Sequence, residues 1–146
     1  MTHLNMIEIL LVEDNPRDAE LTLRALTKNN VANRVFHVED GEEALDFLLC
    51  RGKYTGQETA RSPRVVLLDL KLPKLGGLEV LRAIRADERT RTIPVVVITS
   101  SSEDPDIANA YDLGANSYVV KPVNFDAFMN VVNSLSFYWL MVNHPR

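Results

Sequence analysis

The fold class predicted by this sequence is a doubly wound α/β domain on a five-stranded parallel sheet. Three observations support it: short apolar runs rich in Val, Ile and Leu recur along the chain, segments of helical period separate them, and most connections are short. A strand covered by helices on both faces has no polar side, so its residues form a continuous apolar run instead of alternating with polar ones. Crossovers between such strands are right-handed.

The first strand run is Ile7-Glu8-Ile9-Leu10-Leu11-Val12. A helix over Pro16 to Lys28 follows, with Asn15 as N-cap, Pro16 at the first helical position, and Ala19, Leu23 and Leu26 on an apolar face widened by Leu21. Arg34-Val35-Phe36-His37-Val38 is the second strand, and a second helix from Gly41 to Cys50 turns Ala44, Leu45, Leu48 and Leu49 inward. The one long connection, Arg51 to Arg64, has no apolar periodicity and reads as a surface loop. Val65-Val66-Leu67-Leu68 is the third strand, and Leu78, Leu81 and Ile84 mark a third helix after Gly76-Gly77. Val95-Val96-Val97-Ile98 is the fourth. The fourth helix, marked by Ile107, Ala108, Tyr111 and Leu113, opens at Asp104-Pro105 and closes at Gly114. Tyr118-Val119-Val120 completes the sheet, and a fifth helix runs from Asn124 into the C-terminal tail with Phe125, Phe128, Val132, Leu135 and Trp139 on one stripe.

Composition bounds what such a domain does. The 146 residues, 46% of them apolar, make one domain spanning 1–146, large enough to bury its own core and leaving no room for an effector domain. A net charge of −4 argues against nucleic acid as a partner, since phosphate binding needs a basic face. The single cysteine, Cys50, excludes an internal disulfide and reads as a helix-face residue. With no signal pattern and no membrane-length apolar stretch, the expectation is a soluble, cytoplasmic protein away from membranes. Arg82, Arg85, Arg89 and Arg91 read as a solvated basic edge, and the three histidines show no ligand spacing.

Polar residues past the ends of parallel strands collect where ligands bind. Here they are Glu13 and Asp14 after the first strand, Asp69 after the third, Thr99 at the end of the fourth and Lys121 after the fifth. Clustered carboxylates repel unless a cation sits among them, and hard oxygen donors suit Mg²⁺, or Mn²⁺. A carboxylate can also act as nucleophile in phosphoryl transfer, with an ammonium such as Lys121 and a hydroxyl such as Thr99 balancing the developing charge. Taken singly, each has an ordinary explanation. Glu13 and Asp14 would be loop acids beside a helix N-terminus, Asp69 a turn cap, and Lys121 a surface lysine before a proline. Their recurrence after four separate strands, as a shared edge requires, favours a site.

The segments Val12-Glu13-Asp14-Asn15, Leu67-Leu68-Asp69-Leu70-Lys71-Leu72-Pro73 with Gly77 beyond, Ile98-Thr99-Ser100 and Tyr118-Val119-Val120-Lys121-Pro122 stand in order along the chain. In these the chain closely resembles the receiver domain of two-component response regulators, over nearly its whole length. The resemblance implies a flavodoxin-like receiver fold and a switch that is not an ordinary enzyme, one that promotes its own phosphorylation and slow dephosphorylation. Asp69 would accept a phosphoryl group from the phosphohistidine of a histidine kinase. Asp14 and Asp69 would ligate Mg²⁺ together with the backbone carbonyl of Lys71, while Glu13 acts through water. Thr99 would meet a phosphoryl oxygen and Lys121 would pair with the phosphoryl group. Tyr118 would be an aromatic switch, moving into space left by Thr99 and shifting the surface of the fourth helix, fifth strand and fifth helix. Lys121-Pro122 looks like the family's cis peptide. Lys71 and Ser101 occupy positions that tune phosphoryl lifetime in the family. Gly76-Gly77, where many receivers carry an acid before the glycine, is expected to loosen the turn into the third helix.

The segment Leu135-Ser136-Phe137-Tyr138-Trp139-Leu140-Met141-Val142 is apolar nearly all round, which favours an interface. The expectation is a homodimer through the fourth-helix to fifth-helix face, with Phe137, Tyr138 and Trp139 in it. This tail and the long loop resemble the single-domain regulators paired with phytochrome histidine kinases. Two rivals fail on motif. A haloacid-dehalogenase-type phosphatase wants a second acid two residues after the nucleophile, where Lys71 stands, and a dinucleotide or flavin domain wants a phosphate loop where Glu13-Asp14-Asn15-Pro16 stands. The remaining alternative is a receiver-like interaction module that signals without phosphorylation.

Overall fold

A computed structural model of the chain describes residues 9–28, 34–56, 63–121 and 130. Five strands form one parallel sheet in the order β2-β1-β3-β4-β5: β1 (Ile9–Val12), β2 (Val35–Val38), β3 (Val65–Leu68), β4 (Val95–Thr99) and β5 (Ser117–Val120). Four helices connect them among the described residues: α1 (Pro16–Lys28), α2 (Gly41–Leu48), α3 (Gly77–Ala86) and α4 (Asp104–Asp112). The fifth helix expected from Asn124, Pro122, and the interface residues Phe137, Tyr138 and Trp139 lie outside the described residues.

Both faces of the sheet are covered, which explains the uninterrupted apolar runs. Leu10, Val12, Val66, Leu68, Val95 and Val97 pack with Ala44, Phe47 and Leu48 of α2, Val80, Leu81 and Ile84 of α3 and Ala110 of α4. The alternate residues Ile9, Leu11, Val65, Leu67, Val96 and Ile98 pack on Ala19 and Leu26 of α1. Each of these large side chains contributes roughly 1.5–3 kcal/mol by leaving water. The chain runs from β1 outward to β2, then returns to β3 on the other side of β1. Such a reversal of winding opens a crevice at the carboxyl ends of the two strands beside it.

Local signals set the helix boundaries. Asn15 Oδ1 accepts the backbone N–H groups of Arg17 and Asp18 at 2.9 and 3.0 Å, capping α1 where the sequence places the cap. Asp40 caps α2 by accepting from Glu43 N at 2.7 Å. Gly114, at φ +102°, ends α4 in the left-handed region.

Several apolar faces differ from expectation. Leu21 is 54% exposed, and the buried residue beside it is Thr22. Phe47 is buried where Leu49 was expected to be, and α4 buries Ala110 while Ala108 and Tyr111 stay exposed. Cys50 lies past the end of α2 at φ +56° and not on its face. Part of the long connection is structured: Gly52–Tyr54 forms a 3₁₀ turn, and buried Tyr54 packs edge-on against Phe36 and Phe47 and donates to Glu43 Oε2 at 2.7 Å. Arg85 is no solvated charge. Its guanidinium donates to the carbonyls of Arg91, Ile93 and Gly114 and to Asn116 Oδ1, joining α3 to the segments that precede β4 and β5.

Candidate functional site

The parallel register places the acids. Val12 pairs with Leu68 across β1 and β3, so Glu13 and Asp69 leave the sheet side by side. The Asp69 N–H donates to Val12 O at 3.1 Å and the Glu13 N–H to Val38 O at 3.1 Å, which holds both backbones at the sheet edge. Carboxylate oxygens of Glu13, Asp14 and Asp69 lie within 4.8 Å of one another. Glu13 and Asp69 are buried, Asp14 exposed.

Each buried acid is oriented. Glu13 Oε2 accepts the Asn15 N–H at 3.1 Å, while His37 Nε2 lies 2.7 Å from the Glu13 carbonyl oxygen. A carbonyl only accepts, so Nε2 is the donor in this contact. Asp69 Oδ1 accepts the Lys71 N–H at 3.2 Å. Burial pushes the Glu13 carboxyl up, and this outweighs the lowering by its hydrogen bonds from Lys121 and Asn15.

Lys121 is the hub of the charges. It follows β5, with its N–H on the Thr99 carbonyl at 2.7 Å. Its Nζ reaches Glu13 Oε1 at 2.8 Å, Asp18 Oδ2 at 2.9 Å and Asp69 Oδ2 at 3.2 Å. Burial alone would lower its pKa. Hydrogen bonds to Glu13 and Asp18, with the charges of Asp69 and Glu13, more than reverse that and hold it well above the ordinary lysine value.

Thr99 is the last residue of β4 and wholly buried. Its Oγ1 is the only buried side-chain polar atom among the described residues without a hydrogen-bond partner. Such a group costs about 1–3 kcal/mol, and function commonly explains why it persists. Two residues on, buried Ser101 donates through its hydroxyl to Asp106 Oδ2, and its carbonyl accepts the Tyr118 hydroxyl at 3.0 Å. Tyr118 is thereby tied to the loop that follows Thr99.

The donor chemistry fits a divalent cation. Three carboxylates converge, two of them buried, and the ammonium among them already shows that the cluster demands positive charge. All the sequence-predicted site residues that the structure describes meet at one sheet edge, except that Tyr118 approaches through the Ser101 loop. Two contributors were missed. Asp18 carried a signal, since a residue in the first turn of the helix after Glu13 and Asp14 starts at the same edge. His37 carried none beyond its place on the neighbouring strand.

Within the Gly76-Gly77 turn, Gly77 is tightly packed. A Cβ there would fall inside contact of the Asp69 carbonyl oxygen and 2.5 Å from Leu70 Cα, while the Gly77 N–H donates to Leu70 O at 2.8 Å. Gly77 thus presses α3 against the backbone of Asp69. Gly76 is unconstrained, its nearest neighbour 3.8 Å from a would-be Cβ.

The family model for the response regulator receiver domain matches residues 9–133. A probable methanogenesis regulatory protein, FilR2 of Methanothrix harundinacea, is 44% identical over 133 residues, covering 90% of this chain and 83% of its own. The bacteriophytochrome response regulator AtBRR superposes with a TM-score of 0.77 at 50% identity, over 95% of this chain and 99% of its own. Response regulator Rcp1 of Synechocystis is 36% identical over 132 residues, 90% of this chain and 88% of its own. Its Mn²⁺-bound structure superposes at TM-score 0.78 and 34% identity, over 93% and 96% of the two chains.

Proposed function

The chain belongs to the response regulator receiver family, and on that premise we propose that Asp69 accepts a phosphoryl group from the phosphohistidine of a phytochrome-type histidine kinase. The partner class is a histidine kinase. Pairing with a phytochrome is supported by the likeness to AtBRR, by name a bacteriophytochrome response regulator. An oxygen of the Asp69 carboxylate forms a bond to phosphorus as the phosphorus–nitrogen bond of the donor breaks. The imidazole leaves with the bonding pair and takes up a proton. Asp14, Asp69 and the Lys71 carbonyl would hold Mg²⁺, with Glu13 acting through water, and the ion would supply positive charge that offsets the acids and the phosphoryl oxygens.

The chain's own residues do the rest. Asp69 Oδ1 is held by the Lys71 N–H and Oδ2 by Lys121, so the acceptor is oriented before any donor arrives. Lys121 balances charge on the transferred group. The Thr99 hydroxyl, lacking a partner, is drawn to a phosphoryl oxygen, and the loop through Ser101 carries that movement to Tyr118. The surface around α4 and β5 then changes for a partner. Protein partners suit the net charge of −4, and a cytoplasmic setting suits a kinase donor. Homodimerisation through Phe137, Tyr138 and Trp139 is supported by the apolar run around them.

The observation that carries the reading is the meeting at Asp69 of a buried carboxylate, an ammonium at 3.2 Å and neighbouring acids within 4.8 Å. The test is intact mass after incubation with Mg²⁺ and a small acyl phosphate. One phosphoryl mass is expected on the wild type and none on Asp69→Asn. Equal labelling of the two defeats the assignment to Asp69, and no label on the wild type defeats it and leaves the interaction module that works without phosphorylation.

A further inference from the structure

An ammonium has three N–H donors, and in Lys121 three carboxylates match them: Glu13 at 2.8 Å, Asp18 at 2.9 Å and Asp69 at 3.2 Å. The resting side chain is therefore fully engaged. A phosphoryl group on Asp69 adds up to about two negative charges and several acceptor oxygens. The bond to Asp69 Oδ2 passes to an oxygen of the phosphoryl group that Asp69 carries, and a second bond from Lys121 to that group requires the release of Glu13 or Asp18. Glu13 is the poorer candidate, because its side chain is 3% exposed and water cannot take the place of the ammonium there. Asp18 is different: its side chain is 34% exposed, so water replaces the lost contact at small cost. It also stands in the first turn of α1, where the helix N-terminus favours a carboxylate left alone.

We infer that Asp18 is a resident competitor for the Lys121 ammonium, the carboxylate that a phosphoryl group on Asp69 displaces, so that its charge restrains phosphorylation of this chain. The inference rests on the assignment of Asp69 as acceptor. Asp18 acts through Lys121 and is a positioning residue. Asparagine at position 18 keeps the acceptor oxygen and the side-chain size but removes the charge, while glutamate keeps the charge.

The experiment measures initial labelling of the full chain by acetyl phosphate at saturating Mg²⁺ and several salt concentrations. In the reaction Asp69 gains the phosphoryl group and acetate leaves with the bonding pair. Asp18→Asn is expected to label about threefold to tenfold faster than wild type at low salt, with the gap narrowing as salt screens the charge. Asp18→Glu is expected to return to the wild-type rate. A merely structural role would slow labelling or lower the melting temperature with no salt dependence. Asp18→Ala, also uncharged, provides the same comparison should the asparagine variant fold poorly. A labelled wild type with uncharged variants at or below its rate overturns the role of Asp18 alone. A wild type that takes no label overturns the Asp69 assignment and this inference with it.

Discussion

At the scale of the residue, the site holds its chemistry in side chains that do not stabilise the resting fold. Thr99 is the plainest case. A fully buried hydroxyl without a partner costs stability, and valine has nearly the same shape without the polar atom. Thr99→Val is therefore expected to match or exceed wild-type stability, by up to about 1 kcal/mol in denaturant melts. Its phosphorylated form should lack the change in Tyr118 environment, read by fluorescence or NMR, that is expected of the phosphorylated wild type. A loss of 2 kcal/mol or more would mean that Thr99 has a structural role in the resting protein. The residues that chain order alone could identify were those with a place in a motif: Glu13, Asp14, Asp69, Thr99 and Lys121. Asp18 carried only the signal of its place in the first turn of α1, and His37 none, because the contacts that give them their roles join residues 103 and 24 positions apart in the chain.

At the scale of the element, strands were read most accurately, because burial on both faces leaves an unbroken apolar run. Helices were read well at their caps and less well on their faces. Asn15 caps α1 as expected, since capping is a local hydrogen bond. Which of Leu21 and Thr22 points inward depends on how α1 lies on β1 and β3, and period alone leaves that choice open. The start of α3 shows the same limit. The paired glycines read as a flexible turn, whereas only Gly77 is constrained, by the close approach of α3 to the Asp69 backbone. Gly77→Ala should destabilise by about 1–3 kcal/mol through overpacking and should slow labelling of Asp69 by displacing its backbone. Gly76→Ala should leave both within error, because the space beside it is open. Thermal melts and labelling rates on the two variants check the contrast, and equal effects would refute it.

At the scale of the whole molecule, function and stability oppose each other at the acid cluster. The Glu13 pKa is raised above its usual value of 4.5, mainly by burial, so the folded protein binds that proton more tightly than the unfolded chain does. Its contribution to stability is present at low pH and is lost as pH rises from 4.5 through the raised folded value. Without divalent cation, Glu13→Gln should remove that limb of the stability profile and be more stable at neutral pH by about 0.5–2 kcal/mol. It should also gain less from added Mg²⁺ than wild type, since it offers one carboxylate fewer. Melting curves against pH, with and without Mg²⁺, measure both effects. A neutral-pH stability below that of wild type in the absence of metal would show that the Lys121 pair outweighs the burial of Glu13.

By itself the sequence determined the fold class, the strands, the cap of α1 and the motif residues at one sheet edge, because apolar period, capping chemistry and motif spacing act over short stretches of chain. Only the tertiary structure decided that Lys121 divides its ammonium among Glu13, Asp18 and Asp69, that Thr99 is buried without a partner, and that Gly77 packs against the backbone of Asp69. These depend on distances between strands and helices far apart in the chain, which are set by how the two faces of the sheet pack.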